Sequence, residues 1–279
     1  MPTFHTPEPP RLTVEFRAGT ITVHTEDVQE TTLELTGSSD QQTQALIADT
    51  VIDQRGEDVL VLVPKRTLGL FGSQPDLRLD VAAPHGTRLN VKTASADLNA
   101  RGRYGESRLT SGSGDVSVEH LTDSAQVRSG SGDIHIGTAD HDLTLGAGSG
   151  DVHLGEVHGS VTVQTGSGDV GVDSVAGSLR AQTGSGDVQV GRAADDVRAQ
   201  TGSGDVSLGH VSRGRVKAQA ASGDLHIGVA DGTPAWLDVR TVTGGVTNDL
   251  EASEPVGGGE EYVRLDLKTV SGDIEIVRA

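Results

Sequence analysis

The sequence predicts an all-β protein, a single-stranded parallel β-helix with about 18 residues per coil. Three observations carry that expectation. Gly-Ser-Gly-Asp recurs with its aspartate at Asp115, Asp133, Asp151, Asp169, Asp187 and Asp205, every step being 18 residues. Apolar and polar residues alternate within each period, which is strand periodicity. Aromatic residues are only 2% of the chain although 34% is hydrophobic. A thin column of Val, Leu, Ile and Ala therefore replaces the ring-rich interior of an ordinary globular domain.

Within one period, positions one and three after the aspartate are apolar, as in Val170/Val172 and Val188/Val190. Position six is apolar too (Val157, Val175, Ala193), and so are positions ten and twelve (Val161/Val163, Leu179/Ala181). The pattern predicts two or three short strands per repeat, joined at Gly-rich corners. Strands this short bury nothing alone. Stacked in parallel at ~4.8 Å, they place like residues over like. The helix is expected to be right-handed. Asp97 (Ala-Ser-Ala-Asp) extends the series upstream; Asp224, Gly245 and Asp273 continue it at looser spacing.

Three regions are expected. Residues 1–92 read as irregular coils and a cap continuous with the solenoid, residues 93–250 as the regular repeat, and residues 251–279 as a loop and a final coil. Alternating stretches over Arg11–His24, Thr31–Leu35, Val59–Val63, Leu77–Val81 and Arg88–Lys92 predict first coils of the same stack. Ser39–Ala48 predicts a short helix with a serine N-cap. Leu68, Leu70 and Phe71 sit in a loop at 64–76 and are candidates either to cover the open end of the core or to contact a partner. The strand Asp273–Val277, with nothing after it in the sequence, predicts an uncovered edge and hence a homodimer through solenoid ends.

Formal charge is −18. That disfavours nucleic acid, whose binders carry a basic footprint, and it suits solubility, cations or a basic partner. The chain has no cysteine, which excludes disulfides and thiolate metal sites. Its first residues, MPTFHTPEPPRLTVEF, lack the basic and apolar regions of a secretory signal. No window has the ~18 apolar residues of a membrane helix. The expected location is cytoplasmic, with association to the cell envelope also compatible.

Four candidate chemistries follow from the columns. The aspartates Asp97, Asp115, Asp133, Asp151, Asp169, Asp187, Asp205, Asp224 and Asp273 are expected to fix turns by accepting N–H groups of their own Gly-Ser-Gly corners. Calcium bridging is the alternative. Gln164, Gln182, Gln200 and Gln219, all outward, can form an amide ladder beside a basic stripe of Arg180, Arg198 and Lys217, a candidate partner-contact face. His135 and His153 occupy equivalent outward positions near Asp133 and Asp151, a minimal zinc or nickel set, although Ser117, Gly171, Gln189 and Ser207 stand there in other coils. Paired carboxylates from neighbouring coils would suit a carbohydrate-active enzyme. The central coils, however, lack the long loops and aromatic platforms such enzymes use, and no phosphate loop, nucleophile elbow or His-Glu-x-x-His occurs. A non-catalytic scaffold or binding module with an unidentified protein or polysaccharide partner is the leading expectation. No cofactor is expected.

The opening PEPPRLTVEFRAGTITVHTED, the stretch LRLDVAAPHGTRLNVKTASADLNARG with its Ala83-Pro84-His85-Gly86 segment, and the repeated QTGSGDV resemble the bacterial β-strand-repeat family labelled adhesins, a domain of unknown function also called toastrack. The resemblance spans essentially the whole chain. It implies a β-helical or stacked-strand fold, found often in cell-envelope or envelope-stress settings, with no established catalysis.

Overall fold

Residues 1–64, 77–251 and 262–279 are described by the computed structural model. The chain divides into two compact units, Met1–Asp140 and His141–Ala279, and in both the parallel β-solenoid is the organising architecture.

In the second unit each 18-residue period forms two strands, one of six residues (Val170–Val175, Val188–Ala193) and one of five (Val161–Thr165, Leu179–Thr183) that lengthens to seven at Val197–Ser203. Strands 18 apart pair in parallel without slip: Val161 faces Leu179, Gln164 faces Gln182 and Thr165 faces Thr183. The six-residue strands follow the same rule, Val170 against Val188 and Val175 against Ala193. Apolar positions one, three, six, ten and twelve point into the stack and are buried. β-branched side chains suit these columns because their restricted χ1 costs little on a pleated, half-buried surface.

Stacking, more than backbone conformation, explains the glycines. A Cβ on Gly168 would lie 2.0 Å from the carbonyl oxygen of Gly150, one coil below, and a Cβ on Gly166 would lie 2.4 Å from that of Gly148. Neither position is left-handed; the neighbouring coil simply leaves no room.

The last part of the second unit departs from sequence order. Gly214–Ser222 and Leu225–Val229 pair with Val263–Ser271 and Ile274–Arg278, and those in turn pair with Ala235–Thr243 and Val246–Asn248. Leu225 faces Ile274, which faces Val246. The expected uncovered edge at Asp273–Val277 is therefore wrong. The final strand has a neighbour on each side, and its Ile274 and Ile276 are buried. The coil it displaces outward is 235–248.

The first unit repeats the device. Arg11–Glu26 pairs in parallel with Arg88–Tyr104 on one side and with Asp58–Leu62 and Leu77–Pro84 on the other. Beyond those strands the stack stops being parallel. Glu30–Gly37 runs antiparallel to Leu77–Pro84, Val51–Arg55 antiparallel to Asp58–Leu62, and Thr3–His5 antiparallel to Glu30–Gly37. The expectation that all of residues 11–92 form coils of one parallel kind is corrected accordingly. A tight turn at Gly56, whose φ of 62° favours glycine, reverses the chain there.

The helix forms at Gln41–Ala48, but its N-cap is Asp40, not Ser39. Asp40 Oδ1 accepts the N–H groups of Gln42 and Thr43, and Oδ2 accepts the hydroxyls of Ser38 and Thr43. The Ser38 bond contributes most to holding this carboxyl well below the usual carboxylate range. Among the described residues no helix is long and apolar enough to cross a membrane.

Candidate functional site

The corner of each coil is where the repeat spends its polar residues. Asp115 donates its N–H to Asp97 Oδ1 at 3.0 Å, and Asp133 to Asp115 at 2.9 Å. In the second unit the same bond runs from Asp169 to Asp151, Asp187 to Asp169 and Asp205 to Asp187, each at 2.8 Å. It continues from Asp224 to Asp205, Asp273 to Asp224 and Gly245 to Asp273, each at 2.7 Å. Each carboxylate thus reaches the next coil rather than its own Gly-Ser-Gly corner, correcting the expected partner. The reason lies in the ladder: the N–H one residue later already donates to the next coil's Asp carbonyl (Val170 to Asp187 and Val188 to Asp205). The remaining corner N–H, that of the aspartate, then faces the carboxylate below it. Like charges ~5 Å apart repel by about 1 kcal/mol in water; a charge-assisted N–H bond per step offsets this.

A second polar column was not singled out from the sequence. Ser129, Thr165, Thr183, Thr201 and Thr269 stand four residues before an aspartate or its equivalent and are buried. Thr183 Oγ1 donates to the Gly168 carbonyl at 3.2 Å, Thr201 to Gly186 at 2.9 Å and Thr269 to Gly223 at 3.0 Å. The sequence signal was the Thr-Gly-Ser-Gly-Asp string itself: a hydroxyl at an inward strand position implies a buried polar group that must find an acceptor.

On the outward face of the five-residue strands, the glutamine ladder is present. Gln164 Nε2 donates to Gln182 Oε1 at 3.4 Å, Gln182 to Gln200 at 2.8 Å, and Gln200 to Gln219 at 2.7 Å. Arg180, Arg198 and Lys217 lie directly over one another in the same strands. Arg180 is exposed, and Arg198 and Lys217 are half-buried. The next coil ends both columns. Lys217 faces Asp266 and Gln219 faces Lys268, and Lys268 Nζ lies 2.8 Å from Asp266 Oδ1. The Lys268 hydrogen bond, with Lys217 and Arg215 nearby, holds the Asp266 carboxyl below its usual value against the opposing effect of burial. Arg264 stacks on the Trp236 ring, 4.2 Å from its centroid.

Of the metal candidates, Asp133 and His135 belong to the first unit and Asp151 and His153 to the second. His135 stands level with Ser117 and His153 with Gly171. His153 Nε2 is 3.8 Å from Asp173 Oδ2. Among the described residues no group of three or more His, Asp or Glu side chains is placed to hold a metal ion. Leu68, Leu70 and Phe71 lie outside the described residues.

No curated protein matches the chain. A solved structure described as a "putative cell adhesion protein" from Clostridium sporogenes ATCC 15579 aligns over 100% of this chain and 98% of its own, at 8% identity and a TM-score of 0.23. The model of the Toastrack DUF4097 family matches residues 11–277. With stacked parallel coils, an 18-residue period and a match over nearly its whole length, the chain belongs to the Toastrack DUF4097 family.

Proposed function

We propose that the chain is a non-catalytic β-solenoid scaffold that binds a macromolecular partner through the Gln and Arg face of its second unit. The observation that carries this reading is the alignment of Gln164, Gln182, Gln200 and Gln219 beside Arg180, Arg198 and Lys217. Amides tied to one another along the stack are preorganised, so little rotamer entropy remains to be lost on binding. Cations repeated at the coil spacing meet a polymer with repeating acceptors at several points at once, and affinity grows by multivalency. In a chain of formal charge −18, such a stripe is a local exception that selects against cationic partners.

The partner class this face fits is an anionic polymer, a polysaccharide or an acidic protein segment. Immobilised wild type is expected to retain anionic polysaccharides or acidic polypeptides from a defined panel, and Arg180→Glu/Arg198→Glu to lose at least tenfold in affinity while keeping its circular dichroism. Equal retention by both proteins, or none by either, would refute the reading.

A further inference from the structure

The coil 235–248 ends the stack of the second unit, and its outer edge is chemically specific. Ala235–Thr243 has one strand partner among the described residues, Val263–Ser271. Leu265 and Leu267 in that partner are fully buried, whereas Leu237 and Val239 directly above them are only half-buried. Trp236, Val242 and Val246 are exposed by 47%, 79% and 50%. Three large apolar side chains at the rim of a core that no further described strand covers are more than scattered surface residues, and a strand edge with no partner among the described residues is a template for further pairing.

The strand also reads as its own complement. Along its outward face stand Trp236, Asp238, Arg240 and Val242 in that order. Turned through 180° about Val239 and set against itself, the row places Asp238 opposite Arg240, Arg240 opposite Asp238, and Trp236 opposite Val242. The backbone agrees with this register. The Pro234 carbonyl accepts the Val263 N–H at 3.0 Å. By strand alternation, even-numbered backbone groups between 234 and 240 therefore turn toward Val263–Ser271, and odd-numbered ones from Ala235 to Thr241, Val239 among them, turn away from it. At Thr243 the alternation ends, its carbonyl accepting the Gly272 N–H. Antiparallel partners exchange both hydrogen bonds where such outward-turned residues oppose, so Val239 would bond to Val239 of the second copy, and Leu237 to Thr241.

We infer that the edge strand Ala235–Thr243 docks antiparallel onto the same strand of a second copy of this chain, giving a two-fold dimer centred on Val239. The interface is isologous, which closes at two and does not propagate into fibres. It pairs opposite charges in both halves and covers the apolar rim. The inference is independent of the Gln and Arg face proposed above.

The test is sedimentation of the full chain at micromolar concentration. Wild type is expected at twice the chain mass. Val239→Pro removes an N–H that points to the free edge, a change edge strands tolerate, and is expected to halve the mass with unchanged circular dichroism. Arg240→Asp sets carboxylates against each other across the two-fold and is expected to give monomer. Asp238→Arg added to Arg240→Asp restores every cross-pair and is expected to restore the dimer. A monomeric wild type, or dimers that persist in both Val239→Pro and Arg240→Asp, would overturn the proposal.

Discussion

Single residues show how little room the stack allows. Tyr104, one of two tyrosines in the chain, is fully buried, and its hydroxyl lies 2.8 Å from the carbonyls of both Val23 and Arg101. Burial, with Glu119 adding to it, pushes the phenol well above its usual value near 10. The sign follows from linkage: above pH 10 the unfolded chain gives up this proton first, so stability present below pH 10 is lost as pH rises further. Tyr104→Phe is expected to lower stability at pH 7 by about 1–3 kcal/mol, because the single hydroxyl proton shared between the Val23 and Arg101 carbonyls is lost from a buried site. It is also expected to flatten the alkaline decline, both read from urea midpoints. Sequence alternation pointed to the apolar columns but not to this tyrosine or to the threonine column. Thr165, Thr183 and Thr201 occupy inward positions that a polar-out rule sends to solvent, and their acceptors belong to the coil below.

At the scale of the element, the repeat corner is a clamp between coils. Asp169 accepts from Asp187, while Val170 donates to the Asp187 carbonyl. Asp169→Asn keeps an oxygen in place and is expected to shift the melting temperature by no more than a degree or two. Asp169→Ala strands the Asp187 N–H and is expected to cost about 1 kcal/mol. The reverse ranking would mean that the carboxylate charge matters and the acceptor does not. Strands and register were legible here because eighteen residues separate every Gly-Ser-Gly-Asp corner. The order of the last coils was not. AWLDVRTVT and VRLDLKTVS carry the same alternation, so no local pattern says which lies next to Gly214–Ser222. The antiparallel closure of the first unit was equally hidden, since alternation is blind to strand direction.

For the whole molecule, the acidic excess is the property most open to misreading. Forty acidic residues against twenty-two basic ones invite a calcium-dependent reading, yet the column carboxylates already hold the N–H groups of adjacent coils. Chelation with EDTA is expected to leave the thermal unfolding curve in place, and a fall of several degrees would instead show cations bridging the column. Family membership and fold class could be read from composition, period and motif because they are properties of the repeat. The candidate contact face was legible for the same reason, Gln and Arg recurring at fixed offsets. The self-complementary edge escaped because it depends on which coil comes last in space.

The intercalation of 263–278 between 214–229 and 235–248 has a consequence for how the polypeptide reaches this arrangement. Synthesis delivers 235–248 first, and growth by simple accretion would seat it on 214–229, where the later segment belongs. The native stack instead gives that place to 263–278, which is synthesised later. Closing this end of the stack therefore joins segments across an intervening coil, and the entropy of that loop weighs on how fast it forms.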